Sequence, residues 1–239
     1  MAKETLKERL AKKRESLKKS GPGKFLTVKE GTTRIRVLPV GEEKDWAIES
    51  VYFYLGVKDN MGVISPATFS EKCAIMKAHR ELSESSNKSD REMATKFKPG
   101  RRFLIPVIKY KDEKGKEIDT EVGVKLLLVS AGIYQDMLDV YLDDDAGDFT
   151  DPKKGYDLKI KRTGKGKNDT EYTLLRANPT PLDKAYRKEV DLEKMVKEII
   201  PSYKDTKDII EQYFNLPPKD DEEDLDEKKD KKKKKKKDI

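Results

Sequence analysis

The stretch Gly155–Arg176, GYDLKIKRTGKGKNDTEYTLLR, constrains the fold more than any other part of the chain. Tyr156, Leu158 and Ile160 carry bulk at every second position, while Lys159 and Lys161 carry charge between them. That is the period-two pattern of a half-buried strand. The loop Thr163–Asp169, rich in Gly and Lys, turns the chain into a second alternating run ending in Arg176. An antiparallel hairpin follows, with one face packed and the other aimed at an anion, and a tip of ammonium groups suited to a phosphodiester backbone. An ordinary solvated hairpin would read the same way, so other segments must decide.

More strands follow the same rule. Phe25–Val28, Thr33–Pro39, a run from Trp46 through Leu55, Arg101–Tyr110 with its turn at Asp112–Lys116, and a return over Glu121–Val129 all read as strands. Helices are predicted over roughly Ser70–Ser83, Ala131–Leu142, Asp183–Ile200 and Asp205–Phe214, and the polar stretch Ser83–Arg91 reads as a mobile loop. The fold class expected is mainly β with helical additions, an OB-fold-like small Greek-key barrel. Three parts are expected: a helical N-terminal arm over 1–23, a core over 24–218, and a disordered charged tail over 219–239. The core would carry an inserted helical subdomain near 61–98 and C-terminal helices over about 183–214.

Charge is placed unevenly. The chain of 239 residues has 53 Lys and Arg against 46 Asp and Glu, a net +7. Residues 1–19 contribute eight basic groups against three Glu, and the tail from Lys219 contributes ten Lys against nine acids. The body is therefore nearly neutral, and a surface for a polyanion must arise by segregating charge onto one face. The tail turns from acidic, Asp220–Glu227, to lysine-rich, Lys228–Lys237, a low-complexity composition that cannot bury a core.

Several chemistries find no support. The single Cys73 forms no intramolecular disulfide, and no apolar run suggests a signal or a membrane span, so a cytosolic protein is expected. Cys73 and the single His79 leave a zinc site two ligands short, and no cofactor is expected. A calcium loop starting at Asp143 would need Gly at position 148 and Glu at 154, where Asp148 and Lys154 stand. The chain has no G-x4-G-K-[ST] loop, and one histidine offers little for acid–base relay, so no enzyme is expected.

What recurs instead is cation beside ring: Arg34 and Arg36; Trp46; Tyr52 and Tyr54; Arg101 and Arg102 with Phe103; Lys109 with Tyr110; Tyr156 with Lys159, Lys161 and Arg162; Tyr172 with Arg176. Single-stranded nucleic acid is held in this way, by a groove that neutralises phosphates and by rings on which bases stack. Arg34 and Arg36 are read as two exposed guanidiniums on one strand.

These residues resemble the single-stranded DNA-binding (helix-destabilising) proteins of T-even-like bacteriophages. Thr33–Pro39, TRIRVLP, is similar to that family's Val-Ile-Arg-Phe-Leu-Pro strand, which implies Arg36 in the DNA cleft. Gly155–Lys161 looks like its Phe-x-Leu-Lys-Val-Lys strand, implying Tyr156 as a stacking ring. Arg101-Arg102-Phe103 stands where the family has a basic-aromatic segment. The resemblance implies cooperative, sequence-nonspecific coating of single-stranded DNA in phage replication, recombination and repair, in the cytoplasm of an infected bacterium. It further implies self-association through the arm Lys3–Lys19, and replication or recombination partners for the tail. The chain departs from the family in lacking the three Cys and one His of its zinc subdomain, and in its lysine-rich end. Two other readings stay open: a single-stranded RNA-binding protein, because stacking does not read the sugar, and a replication scaffold acting through its charged ends.

Overall fold

A computed structural model describes residues 24–41, 44–55, 62–164 and 169–214. The predicted arm (1–23), the tail (219–239) and the lysines at the hairpin tip lie outside them. The chain divides into two compact units, one formed by Met1–Phe53 with Pro99–Ile200 and the other by Tyr54–Lys98 with Pro201–Ile239.

Strands dominate the first unit: β1 (Phe25–Leu26), β2 (Gly31–Val37), β3 (Ile48–Tyr54), β5 (Pro99–Lys109), β6 (Lys125–Val129), β7 (Tyr156–Thr163) and β8 (Glu171–Pro179). The short strand β4 (Gly62–Ile64) belongs to the second. Hydrogen bonding orders them β1-β6-β5-β2-β7-β8, parallel for β1 with β6 and antiparallel in the other pairs, so the sheet is mixed.

β5 is the organising strand. Its run Phe103–Ile108 is buried throughout, as a continuous apolar stretch demands. One edge pairs β6; the other pairs β3 through Pro99–Leu104 and then β2 through Val107–Lys109. Ile35, Val37, Ile105, Val107, Leu127, Leu158 and Ile160 fill one face of the sheet.

The other face is covered as well. Leu38, Ile108 and Leu182 pack there beneath Ile118, Tyr186 and Val190. This second layer consists of the 111–120 turn, the 151–155 loop and the segment after Pro179. It explains one departure from the sequence reading. The predicted helix over 183–200 is a 3-10 turn (Lys184–Tyr186), an irregular stretch and a short helix, Leu192–Lys197. Leu182, Tyr186 and Val190 recur with helical spacing, but the Val190 amide donates to the Pro39 carbonyl at 2.9 Å, and Asp191 then caps the helix through the Lys194 amide. Ala131–Leu142 forms a helix as read from the sequence, burying Ile133 and Met137.

The second unit packs three helices, Ala74–Glu84, Lys88–Thr95 and Tyr203–Phe214. Numbered in chain order, the helices are α1 (Ala74–Glu84), α2 (Lys88–Thr95), α3 (Ala131–Leu142), α4 (Leu192–Lys197) and α5 (Tyr203–Phe214). The stretch read as a mobile loop, Ser83–Arg91, instead contains the start of α2. Asn87 caps it by accepting from the Ser89 amide, while the Arg91 guanidinium donates to the carbonyls of Ser85 and Ser86. Ile75, Ala94, Phe97, Ile209 and Ile210 form the core. The Phe97 ring meets Phe214 at 4.3 Å, and Thr206 Oγ1 accepts from the Ala74 amide at 3.2 Å. Among the described residues no helix is long and apolar enough to cross a membrane.

Candidate nucleic-acid interface

Strand register decides which cations meet which rings. Across β3 and β5, Ser50 pairs Arg102 and Tyr52 pairs Gly100, whereas Glu49 pairs Phe103 and Val51 pairs Arg101. Alternation therefore puts Arg102 on the face of Tyr52, with its guanidinium 5.6 Å from the ring centroid, a cation–π arrangement. Arg101 and Phe103 share the opposite face. The Arg101 guanidinium lies 5.9 Å from the Phe103 centroid and grips Glu49 with two bonds, Nε to Oε1 at 2.6 Å and Nη2 to Oε2 at 2.9 Å. That bond holds the Glu49 carboxyl below the usual carboxylate range. The side chains of Arg101 and Glu49 remain 68% and 51% exposed. Tyr54, at the end of β3, is exposed too.

The β7–β8 hairpin forms the second group. Leu158 and Ile160 are buried while Lys159 is half-buried and Lys161 exposed, which realises the alternation in the sequence. Lys159 pairs Leu175, Lys161 pairs Thr173 and Arg162 pairs Tyr172. Tyr172 is 39% exposed. Arg162 reaches back to the Val28 carbonyl, and its Nε is buried without a partner among the described residues. Arg176 is exposed, donates to the Asp145 carbonyl and lies 5.4 Å from the Tyr156 ring. Lys109 ends β5 half-buried.

Five of the candidate residues, Arg34, Arg36, Tyr110, Tyr156 and Phe103, are not surface groups. Arg34 and Arg36 were read as exposed guanidiniums, yet they are 9% and 0% exposed. Both are held by Asp157, which is fully buried on the neighbouring strand. Arg34 donates to Asp157 Oδ2 through Nε at 2.7 Å and lies against the same oxygen through Nη2 at 2.6 Å. Arg36 Nη1 is 3.4 Å from Oδ1 and donates also to the Thr180 carbonyl, while Nη2 donates to the Asp151 carbonyl. The Tyr110 hydroxyl donates to Oδ1 at 3.1 Å; burial, then the Asp157 charge, push this phenol up to about 12. The cause of the burial is the second layer, whose carbonyls at 113, 114, 151 and 180 accept from the two guanidiniums, while Arg36 Nε is buried without a partner among the described residues. Tyr156, read as a stacking ring, is also enclosed: it is 1% exposed, and its hydroxyl donates to the Gly147 carbonyl. Phe103 is likewise buried, with its ring stacked on Tyr134 at 3.8 Å and 10°.

A continuous aromatic row links these rings: Phe103, Tyr134, Trp46, Tyr141, Phe149 and Tyr156, each within 6.2 Å of the next. Arg101 stands at one end and Arg176 at the other. Sequence reasoning missed Tyr134, Tyr141 and Phe149 as part of the site, and Glu49 and Asp157 as its counter-charges. A signal existed for each kind. Tyr134 and Tyr141 stand seven apart, on one face of a helix, and Asp157 shares the strand face of Lys159 and Lys161, where an acid is out of pattern.

The zinc site implied by the phage resemblance does not fit. Cys73 occupies the N-cap of α1 and is buried, while the His79 ring lies edge-on to Phe97 at 5.7 Å. Among the described residues no group of three or more His, Cys, Asp or Glu is placed to hold a metal. Burial first, and the nearby Lys98 charge second, lower the His79 pKa.

Guanidinium and ammonium groups beside tyrosine rings on exposed strands are the chemistry by which a polyanion that carries flat, stackable groups can be held. Residues 29–214 match the family of gp32 DNA binding protein like domains, and the chain belongs to that family. It is a family of DNA-binding proteins, not of enzymes. No curated protein matches the chain.

Proposed function

We propose that this protein binds single-stranded DNA without sequence preference, through exposed residues on two parts of one sheet. The observation that carries the reading is the exposed fork of Arg101 on one face of the β3–β5 pair with the Arg102–Tyr52 pair on the other, in a domain of a DNA-binding family. Tyr52 with Arg102, exposed Tyr54, and Tyr172 beside Arg162 supply rings for bases. Arg101, Lys109, Lys159, Lys161 and Arg176 supply charge for phosphates. The sheet would serve as an OB-fold-like barrel, with DNA crossing its strands. In the same reading the chain coats exposed strands during phage replication, recombination and repair in the bacterial cytoplasm. Residues 1–23 would mediate cooperative contact between copies, and residues 219–239 would meet replication or recombination proteins.

The test is a titration of the full chain with matched oligo-dT, oligo-rU and duplex DNA at two salt concentrations. Tightest binding to dT, weakening by about 0.7 log unit per phosphate contact for each tenfold rise in salt, supports the reading. Arg101→Ala with Arg102→Ala should weaken binding at unchanged melting temperature, because both side chains stand at the surface. Equal affinity for duplex, or a double variant that binds as the parent does, would overturn it. Arg36 and Tyr156 do not serve this purpose, since truncating either disturbs the fold first.

A further inference from the structure

Arg101 is already engaged, and its partner has the shape of its proposed ligand. A carboxylate and a phosphodiester each offer two anionic oxygens to the planar fork of a guanidinium. Glu49 fills that fork through both of its oxygens, Nε to Oε1 and Nη2 to Oε2. The surface pairs Lys24–Glu198 and Lys111–Glu117 engage a single carboxylate oxygen each. The pair is also displaceable. Both side chains are more than half exposed, and exposed pairs contribute only a factor of about 1.5 to 5. Meanwhile the Arg101 guanidinium sits by Phe103, whose ring is fixed by its stack on Tyr134, so the fork stays positioned when Glu49 leaves.

We infer that Glu49 is an internal stand-in for a DNA phosphate, holding Arg101 until a strand displaces it and thereby setting the affinity and salt response of the site. This rests on the reading of Arg101 as a DNA contact. A strand that takes Arg101 leaves the Glu49 carboxylate beside the incoming phosphate, which weakens binding and reduces the counterions released. Small anions gain too little to displace the carboxylate, whereas a polyanion with several contacts does so.

The experiment measures anisotropy of labelled oligo-dT with the full chain at two salt concentrations, for the parent, Glu49→Gln, Arg101→Ala and the double variant. Glu49→Gln keeps the shape and removes the charge. It should tighten binding about two- to five-fold and steepen the slope of log affinity against log salt by up to about 0.7. In the Arg101→Ala background the same substitution should change affinity less than two-fold. Glu193→Gln, at an exposed acid on α4 paired with Lys197, controls for net charge and should also change it less than two-fold. Unchanged or weaker binding by Glu49→Gln would overturn the inference, showing that the pair stays closed on DNA or lies off its path. So would an equal gain in Glu193→Gln or in the Arg101→Ala background. If the parent fails to bind oligo-dT, the proposed function falls, and this inference with it; a parent that binds with an inert Glu49→Gln removes only the inference.

Discussion

Replacing Asp157 by Asn separates a structural role of Arg34 and Arg36 from a direct role in binding. The Asp157 carboxylate faces Arg34 Nε and Nη2, Arg36 Nη1 and the Tyr110 hydroxyl. Asn keeps the volume but offers one oxygen, turns an amide N–H₂ toward donors, and removes the charge that balances two buried guanidiniums. Arg34 keeps the carbonyls of residues 113 and 114, and Arg36 those of 151 and 180, so hydrogen bonding is partly preserved. Charge is not. Breaking a buried pair by removing one partner costs about 3–5 kcal/mol, and with two arginines orphaned the upper half applies, about 4 kcal/mol. Domains are stable by roughly 5–15 kcal/mol, so the variant should fold but melt lower by about 8–16 °C. Urea unfolding of parent and variant measures the loss directly. Adding Arg36→Met should then recover at least about 1 kcal/mol, because an uncompensated buried charge leaves with it. A loss below about 1 kcal/mol for Asp157→Asn would refute the reasoning and return Arg36 to the list of groups free to meet DNA.

Gly115 adopts φ +71 and an added Cβ would collide with the Arg34 guanidinium, so Gly115→Ala should destabilise by more than about 1 kcal/mol, measured by thermal melting; a neutral effect would show that the turn is not seated on Arg34. Tyr110 should remain un-ionised until about pH 12 in a spectrophotometric titration. Because its folded pKa lies above the unfolded value near 10, the stability it lends is complete below pH 10 and is lost as pH rises toward 12; ionisation near 10 in the native protein would contradict the buried bond to Asp157. Asn87→Ala removes the cap of α2 and should cost about 1 kcal/mol, seen as increased amide exchange over Lys88–Thr95. Incubation with a strong chelator should leave the melting of the full chain unchanged, since Cys73 and His79 stand without further donors among the described residues; a lowered transition would reveal a bound metal.

How far the sequence could be read depended on whether a residue's environment is local. The β7 alternation, the apolar run of β5 and the helix Ala131–Leu142 follow from neighbours along the chain, and periodicity carries that information. Lys161, Arg101, Tyr54 and Tyr172 are exposed in the structure because no distant segment among the described residues covers them. Arg34 and Arg36 fail for the opposite reason. Their neighbours, Thr33, Ile35 and Val37, describe a strand with one apolar face, and nothing local announces that the 111–120 turn and the 178–190 segment cover the other. Tyr156 is hidden by the loop just before it, which folds back so that the Gly147 carbonyl accepts from its hydroxyl and Phe149 meets its ring, a fold-back that strand alternation does not announce.

The distinction bears on where affinity should lie. A cation that two strands and three loop segments bury against a carboxylate cannot exchange that partner for DNA without opening the second layer, whereas a surface fork held by one glutamate can. One motif that resembles the phage family, Thr33–Pro39, is thus placed in this structure to hold the sheet and its covering turn together. On the proposed function, the surface arginines Arg101 and Arg102 take the place of Arg36 in meeting a strand. If that is right, substitutions at Arg36 lower stability and binding together, and those at Arg101 and Arg102 lower binding alone. Plotting affinity against melting temperature for both sets should give two separate trends; a single common line would mean that the surface arginines also act through the fold.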